Sequence, residues 1–231
     1  MDARASATLS KGDDASDMAA DLSNLLRSAA RLKARSGRKS ERKSLPALLF
    51  LTDPVRIADP VAALSQLPRR MNGRLGVVFR HYGAENRVET ARKLKRLCAR
   101  RNWLLLIGAD PDLAARIRAN GVHMPERLAA KAQTLKRRRP NWIVTLAAHS
   151  RKALKRSGEL DAFLLSPAFP SQSSSAKGKK ALYRRGVASA ARQTRTPIYA
   201  LGGVSSKTIK KVGNIRGIVG GALVSGLFDS T

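Results

Sequence analysis

The stretch SPAFPSQSSSAKGKKALYRRG, residues 166–186, runs from an apolar strand-like segment into serines and then into a burst of cations. Ser171 and Ser173 carry hydroxyls that donate to phosphate oxygens. Lys177, Lys179 and Lys180 carry ammonium groups that neutralise them. The same composition also makes an ordinary basic surface loop, so composition alone leaves both readings open. Two glycine pairs, Gly202-Gly203 and Gly220-Gly221, offer a second phosphate chemistry. Without Cβ atoms, backbone N–H groups come close to an anion at the start of a helix. Cys98 is the one cysteine, which excludes an internal disulfide framework and a multi-cysteine metal site and fits a reducing compartment.

Charge narrows the class of ligand. Lys and Arg number 45 against 16 Asp and Glu, a formal net charge of +29. Such a field attracts nucleic acid, anionic membranes and phosphorylated metabolites. The cations lie on nearly every segment, for example ARKLKRLCARR (91–101), KAQTLKRRR (131–139) and RKALKR (151–156). Aromatic residues make up only 4% of the chain, which leaves few platforms for stacking bases. No zinc-finger spacing or RNA-recognition signature is present. The expected partner is a small phosphorylated metabolite, with nucleic acid bound only as incidental electrostatics. No apolar run approaches the roughly 18–20 residues needed to cross a bilayer. The first residues, MDARASATLSKGDDASDM, contain acids and no apolar core, unlike a secretory leader. A cytoplasmic location is expected; oligomeric state is not legible.

The elements that must position these groups follow from the hydrophobic pattern. Residues 1–45 read as an N-terminal basic extension. DMAADLSNLLRSAARLKAR (17–35) has apolar residues at helical spacing, and SGRKSERKS (36–44) reads as a flexible linker. The helix is either a solvated arm or a cover for the flank of the following domain.

From residue 46 to 231 short apolar runs alternate with helical patterns. The runs are ALLFLTD (47–53), RLGVVFRHY (74–82), NWLLLIGAD (102–110), GVHMP (121–125), NWIVTLAAHS (141–150), DAFLLSPAF (161–169), TPIYALGG (196–203) and RGIVGGALVS (216–225). Continuous apolar strands are buried on both faces, as in a parallel sheet covered by helices. Eight strands with seven intervening helices give an α/β fold, a (β/α)8 TIM-type barrel with a truncated last helix. An open doubly wound sheet is the alternative, weakened by the lack of GxGxxG after the first strand.

Barrels of this type carry their chemistry at the carboxyl ends of the strands. Those ends hold Asp53, Arg80-His81-Tyr82, Gly108-Ala109-Asp110, His123, His149-Ser150, Ser171 to Lys180, Gly202-Gly203 and Gly220-Gly221. The serine-lysine stretch is thus the sixth βα loop, on the catalytic face. The glycine pairs belong to strands seven and eight, the usual phosphate site of the fold. His123 reads as a packed strand-end histidine.

LLFLTD, ANGVHMP, VTLAAHS, LLSPAFPSQS and PIYALGGVSSKTI occur here in the order found in thiamine-phosphate synthases and their TenI relatives. Over residues 46–228 the chain resembles a divergent member of that family. The resemblance implies thiamine biosynthesis: a pyrimidine methyl diphosphate is joined to a thiazole phosphate with release of diphosphate, or a thiazole phosphate is tautomerised. It implies that Arg80, the surviving centre of a Gln-Leu-Arg-Glu-Lys motif that here reads Val78-Phe79-Arg80-His81-Tyr82, binds diphosphate. It implies an acid-base role for His149, phosphate-binding hydroxyls at Ser171 and Ser173, a displaced loop cation at Lys177, and a phosphate turn at Gly202-Gly203. On the eighth strand the small pair is Gly220-Gly221 or Ser225-Gly226. The family uses magnesium, served by the aspartate of an Asn-Asp pair that is replaced here by Gly108-Ala109, and by a further aspartate where only Glu126 is near. Magnesium ligands therefore look lost, no metal residues are assigned, and cofactor use is left open. The expected function is a synthase-like transferase of weak or altered activity. The alternatives are a phosphate-binding non-catalytic pseudoenzyme, a thiazole tautomerase and, behind these, a nucleic-acid binder.

Overall fold

A computed structural model of the chain describes residues 20, 22–31, 45–68, 75–155, 160–170, 178 and 180–224. Eight strands close into a barrel in sequence order, and every neighbouring pair is parallel. They are β1 (Leu48–Leu51), β2 (Leu75–Phe79), β3 (Leu104–Gly108), β4 (Gly121–Met124), β5 (Ile143–Ala148), β6 (Ala162–Leu165), β7 (Ile198–Leu201) and β8 (Ile218–Leu223). The helices are α1 (22–31), α2 (Pro60–Ser65), α3 (Arg87–Arg100), α4 (Pro111–Arg116), α5 (Ala129–Arg138), α6 (Arg151–Lys155), α7 (Tyr183–Ala191) and α8 (Ser206–Ile209). The (β/α)8 barrel is therefore the fold. The expected truncation of a last helix falls on residues 225–231, outside the described residues.

The strands are apolar without alternation because each has two buried faces. Leu49 and Leu51 of β1, with Leu104 and Leu106 of β3, join the cluster that includes Val78, Leu164 and Tyr199 inside the barrel. Their neighbours Leu48, Phe50, Leu105 and Ile107 belong to a second cluster, shared with the helices. Each fully buried Leu or Phe contributes roughly 1.5–3 kcal/mol. Tyr199 is the one tyrosine of the interior cluster, and its hydroxyl donates to the Pro46 carbonyl at 2.5 Å.

Local signals set the helix starts. Asp59 and Asp110 cap α2 and α4 through backbone amides, each with a proline in the first turn. Ser205 and Thr208 cap α8 reciprocally. At the opposite end of the barrel Lys136 pairs with buried Asp161 at 2.7 Å, and Asp161 also accepts the Val144 amide at 2.8 Å.

Two expectations change. In α1, Leu22, Leu25, Leu26 and Ala29 recur at helical spacing and are buried in the outer core cluster. That part of the N-terminal segment packs on the barrel; it is no solvated arm. The stretch read through residue 186 as the sixth loop ends sooner, because α7 begins at Tyr183 and carries Arg184 and Arg185, both exposed. The Leu182 and Tyr183 amides bond to the Pro167 and Ala168 carbonyls at 3.0 and 2.8 Å, which anchors the helix start against the end of β6.

Candidate functional site at the barrel mouth

Arg80 leaves the end of β2 and is clamped by Thr52 at the end of β1. Its amide donates to the Thr52 hydroxyl and its Nε to the Thr52 carbonyl, both at 2.9 Å. Its terminal Nη2 has Asp53 as counter-ion at 3.7 Å. Burial pulls the guanidinium below its ordinary value, an effect that Tyr82 and Asp53 offset and Arg56 reinforces. An arginine does not give up its proton in a protein, so the result is a fixed cation short of counter-charge.

His81, the residue after Arg80, is buried with its Nε2 unpartnered among the described residues, and two further histidines lie on β4 and just after β5. His123 on β4 is buried, and its Nδ1 lies 3.0 Å from the Thr145 hydroxyl. Burial, with Arg80 and His149 close by, pushes its pKa down to about 3, so it is neutral and packed. His149 follows β5 and is exposed. Its amide donates to Glu126 at 2.6 Å, and the adjacent Ser150 hydroxyl donates to the other Glu126 oxygen at 2.5 Å. The His149 Nδ1 lies 3.2 Å from the Ser166 carbonyl. A carbonyl only accepts, so this contact selects the tautomer protonated at Nδ1 and leaves Nε2 as the basic nitrogen.

Gly202 and Gly203 turn the chain from β7 toward α8 with φ of 93° and 60°. A Cβ at Gly203 would meet the Pro170 carbonyl oxygen at 2.2 Å, so only glycine fits. The Phe169 amide donates to the Gly202 carbonyl at 3.0 Å, and the Thr208 hydroxyl donates to the Gly203 carbonyl at 2.7 Å. Among the described residues no backbone carbonyl accepts from the Gly203 or Val204 amides, which leaves them available to an anion.

The other glycine pair is elsewhere. Gly220 and Gly221 lie inside β8, and Gly221 pairs with Leu48 at the start of β1. A Cβ on Gly220 would meet the Ala47 carbonyl at 2.1 Å, and one on Gly221 would meet Ile209 and Val204. In the body of β8 the lack of a side chain thus admits the Ala47 carbonyl on one side and Ile209 and Val204 on the other. The alternative pair, Ser225-Gly226, lies outside the described residues, as do Ser171, Ser173 and Lys177.

Magnesium does not fit the residues present. Ala109, where the resemblance implies the metal-binding aspartate, has no ligating group, and a Cβ on its neighbour Gly108 would lie 2.6 Å from the Tyr82 hydroxyl. Asp110 pairs with Arg87 at 2.6 Å while capping α4 through the Leu113 amide. Glu126 is occupied by His149 and Ser150. No group of three or more His, Cys, Asp or Glu suited to a metal lies among the described residues.

Arg87 is a mouth residue that motif reading passed over. The Arg87 guanidinium lies 5.6 Å from the Tyr82 ring centre and bonds the Gly108 carbonyl at 3.0 Å. One signal for Asp110 was present: Asp-Pro followed by an apolar helical pattern marks a helix cap.

Comparison with known proteins gives a consistent neighbourhood. The profile of a family described as thiamine monophosphate synthase matches residues 48–227. A protein of Aquifex aeolicus named "Putative thiamine-phosphate synthase 2" is 32% identical over 122 residues, which are 52% of this chain and 64% of that one. The match thus spans less than two thirds of that relative. The solved thiamine phosphate pyrophosphorylase from Pyrococcus furiosus superposes with a TM-score of 0.60 at 18% identity, covering 85% of this chain and 87% of that one. A glycerol uptake operon antiterminator regulatory protein from Listeria monocytogenes gives 0.53 at 12% identity, covering 80% and 94%. At these identities the two structures speak to the fold alone.

Proposed function

The chain belongs to the thiamine monophosphate synthase family, and from that premise we propose that it joins a pyrimidine methyl diphosphate to a thiazole phosphate. The bond between the pyrimidine methylene carbon and the diphosphate oxygen breaks, and its electron pair leaves with diphosphate. The thiazole nitrogen lone pair then forms the new C–N bond.

The observation that carries this reading is Arg80, a partly buried cation held in place by Thr52 and faced by Asp53 at 3.7 Å. Charge grows on the leaving oxygen as the bond breaks, and a preorganised guanidinium stabilises it without reorganising. Gly202 and Gly203 form the proposed cup for the thiazole phosphate, supplied by the amides of Gly203 and Val204. Ser171, Ser173 and Lys177, outside the described residues, are proposed as further phosphate ligands on the strength of the family resemblance. His149 presents Nε2 as the proton acceptor of the mouth.

The test is formation of thiamine phosphate from both substrates by the purified chain, together with rescue of a thiamine-requiring synthase mutant. Product that disappears in Arg80→Ala supports the coupling reaction. Binding of both substrates without product places the chain with phosphate-binding pseudoenzymes.

A further inference from the structure

Three carboxylates at the strand ends, Asp53, Asp110 and Glu126, each have a partner among the described residues. Asp53 accepts the Val55 amide at 3.0 Å and faces Arg80. Asp110 is paired with Arg87, and Glu126 holds the turn at His149 and Ser150. At the end of β3, Gly108 and Ala109 bring no side chain that ligates a cation, and the Tyr82 hydroxyl stands 2.6 Å from where a Cβ on Gly108 would be. Arg80 has the opposite imbalance. Its Nε is satisfied by Thr52, while its terminal nitrogens meet Asp53 across 3.7 Å.

We propose that this mouth takes a diphosphate group through the Arg80 guanidinium without a divalent cation. The inference rests on reading the mouth as a diphosphate site. A divalent cation bridges phosphate oxygens and neutralises them. A guanidinium forks onto two oxygens and carries a permanent charge, so it performs both tasks without a carboxylate cage. Partial burial strengthens the attraction, because fewer water dipoles screen it. Tyr82, in the loop after β2, presents a phenol hydroxyl beside Gly108.

The experiment is a calorimetric titration of sodium pyrophosphate into the full chain, once with EDTA and once with excess magnesium chloride. Binding in EDTA is expected, with magnesium leaving it unchanged or weakening it by competing for the ligand. Arg80→Ala is expected to lower the affinity by about tenfold or more, the loss of one charge-assisted bidentate contact. Arg80→Lys keeps the charge and loses the fork. Its melting curve separates a lost ligand contact from a lost fold, and its affinity is expected to fall between the other two. Binding that requires magnesium, or no pyrophosphate binding in either buffer, overturns the inference. Product formation is a separate readout: turnover that depends on magnesium keeps the coupling reaction and removes only the metal-free diphosphate site.

Discussion

Thr52 holds Arg80 at both ends of the residue, its hydroxyl accepting from the Arg80 amide and its carbonyl from Nε, each at 2.9 Å. The threonine is fully buried, so the arginine's position is decided inside the barrel wall rather than at the surface. Thr52→Val keeps the shape and removes the acceptor for the Arg80 amide. The expected cost is about 1–3 kcal/mol of stability, the penalty for a buried unsatisfied donor. Pyrophosphate affinity is expected to fall as well, because the Arg80 backbone loses its anchor while the guanidinium keeps only the Thr52 carbonyl. Denaturant unfolding and calorimetry measure the two effects separately.

The cup and the loop are separable by substitution. Gly203→Ala places a Cβ 2.2 Å from the Pro170 carbonyl oxygen at a φ of 60°. It is expected to cost more than about 1 kcal/mol, the ordinary left-handed penalty alone, and to weaken phosphate-ester binding with it. Lys180→Ala removes an exposed cation. It is expected to leave the melting temperature unchanged and to lower phosphate-ester affinity less than Gly203→Ala does. Affinities in the reverse order would make the loop, not the glycine turn, the binding site.

His123 predicts how stability depends on acidity. Its pKa falls from 6.5 to about 3 on folding, chiefly through burial. The unfolded chain therefore binds more protons than the folded one between those values, and stability rises with pH across that window. The contribution is fully present above 6.5 and is lost as pH falls toward about 3. His81 is lowered in the same direction by burial. In His123→Gln, unfolding free energies plotted against pH should show a flatter slope over the window. An unchanged slope would place the titration elsewhere.

Leu26 is fully buried in the outer core cluster, far in sequence from the strands it packs with. Leu26→Ala is expected to destabilise the barrel by about 2–5 kcal/mol, the usual range for a buried leucine. Removal of residues 1–40 should likewise lower the melting temperature. A transition that does not move would detach α1 from the barrel's stability.

The order of elements was legible from the chain because each strand carries its own evidence. LLFL, LGVVF and LLLIG are apolar at every position or nearly so, and such runs demand cover on both faces. Helical patterns between them leave a closed parallel barrel as the economical arrangement. Arg80, His149 and Gly202-Gly203 were legible for the same reason, since each stands just past the end of a strand. Phase along a strand was not legible in β8. RGIVGGALVSG repeats small residues, and nothing local says which pair reaches the mouth. Pairing of Gly221 with Leu48, together with the register shift at Ile198/Tyr199, puts Gly220 and Gly221 in the body of the sheet. The contact of Tyr82 with Gly108 was equally hidden. It joins the ends of two strands separated by a whole helix, and only closure of the barrel brings them together. Local composition decides that a segment is buried; which residues then face one another is decided by pairing between strands, and that is a property of the folded sheet.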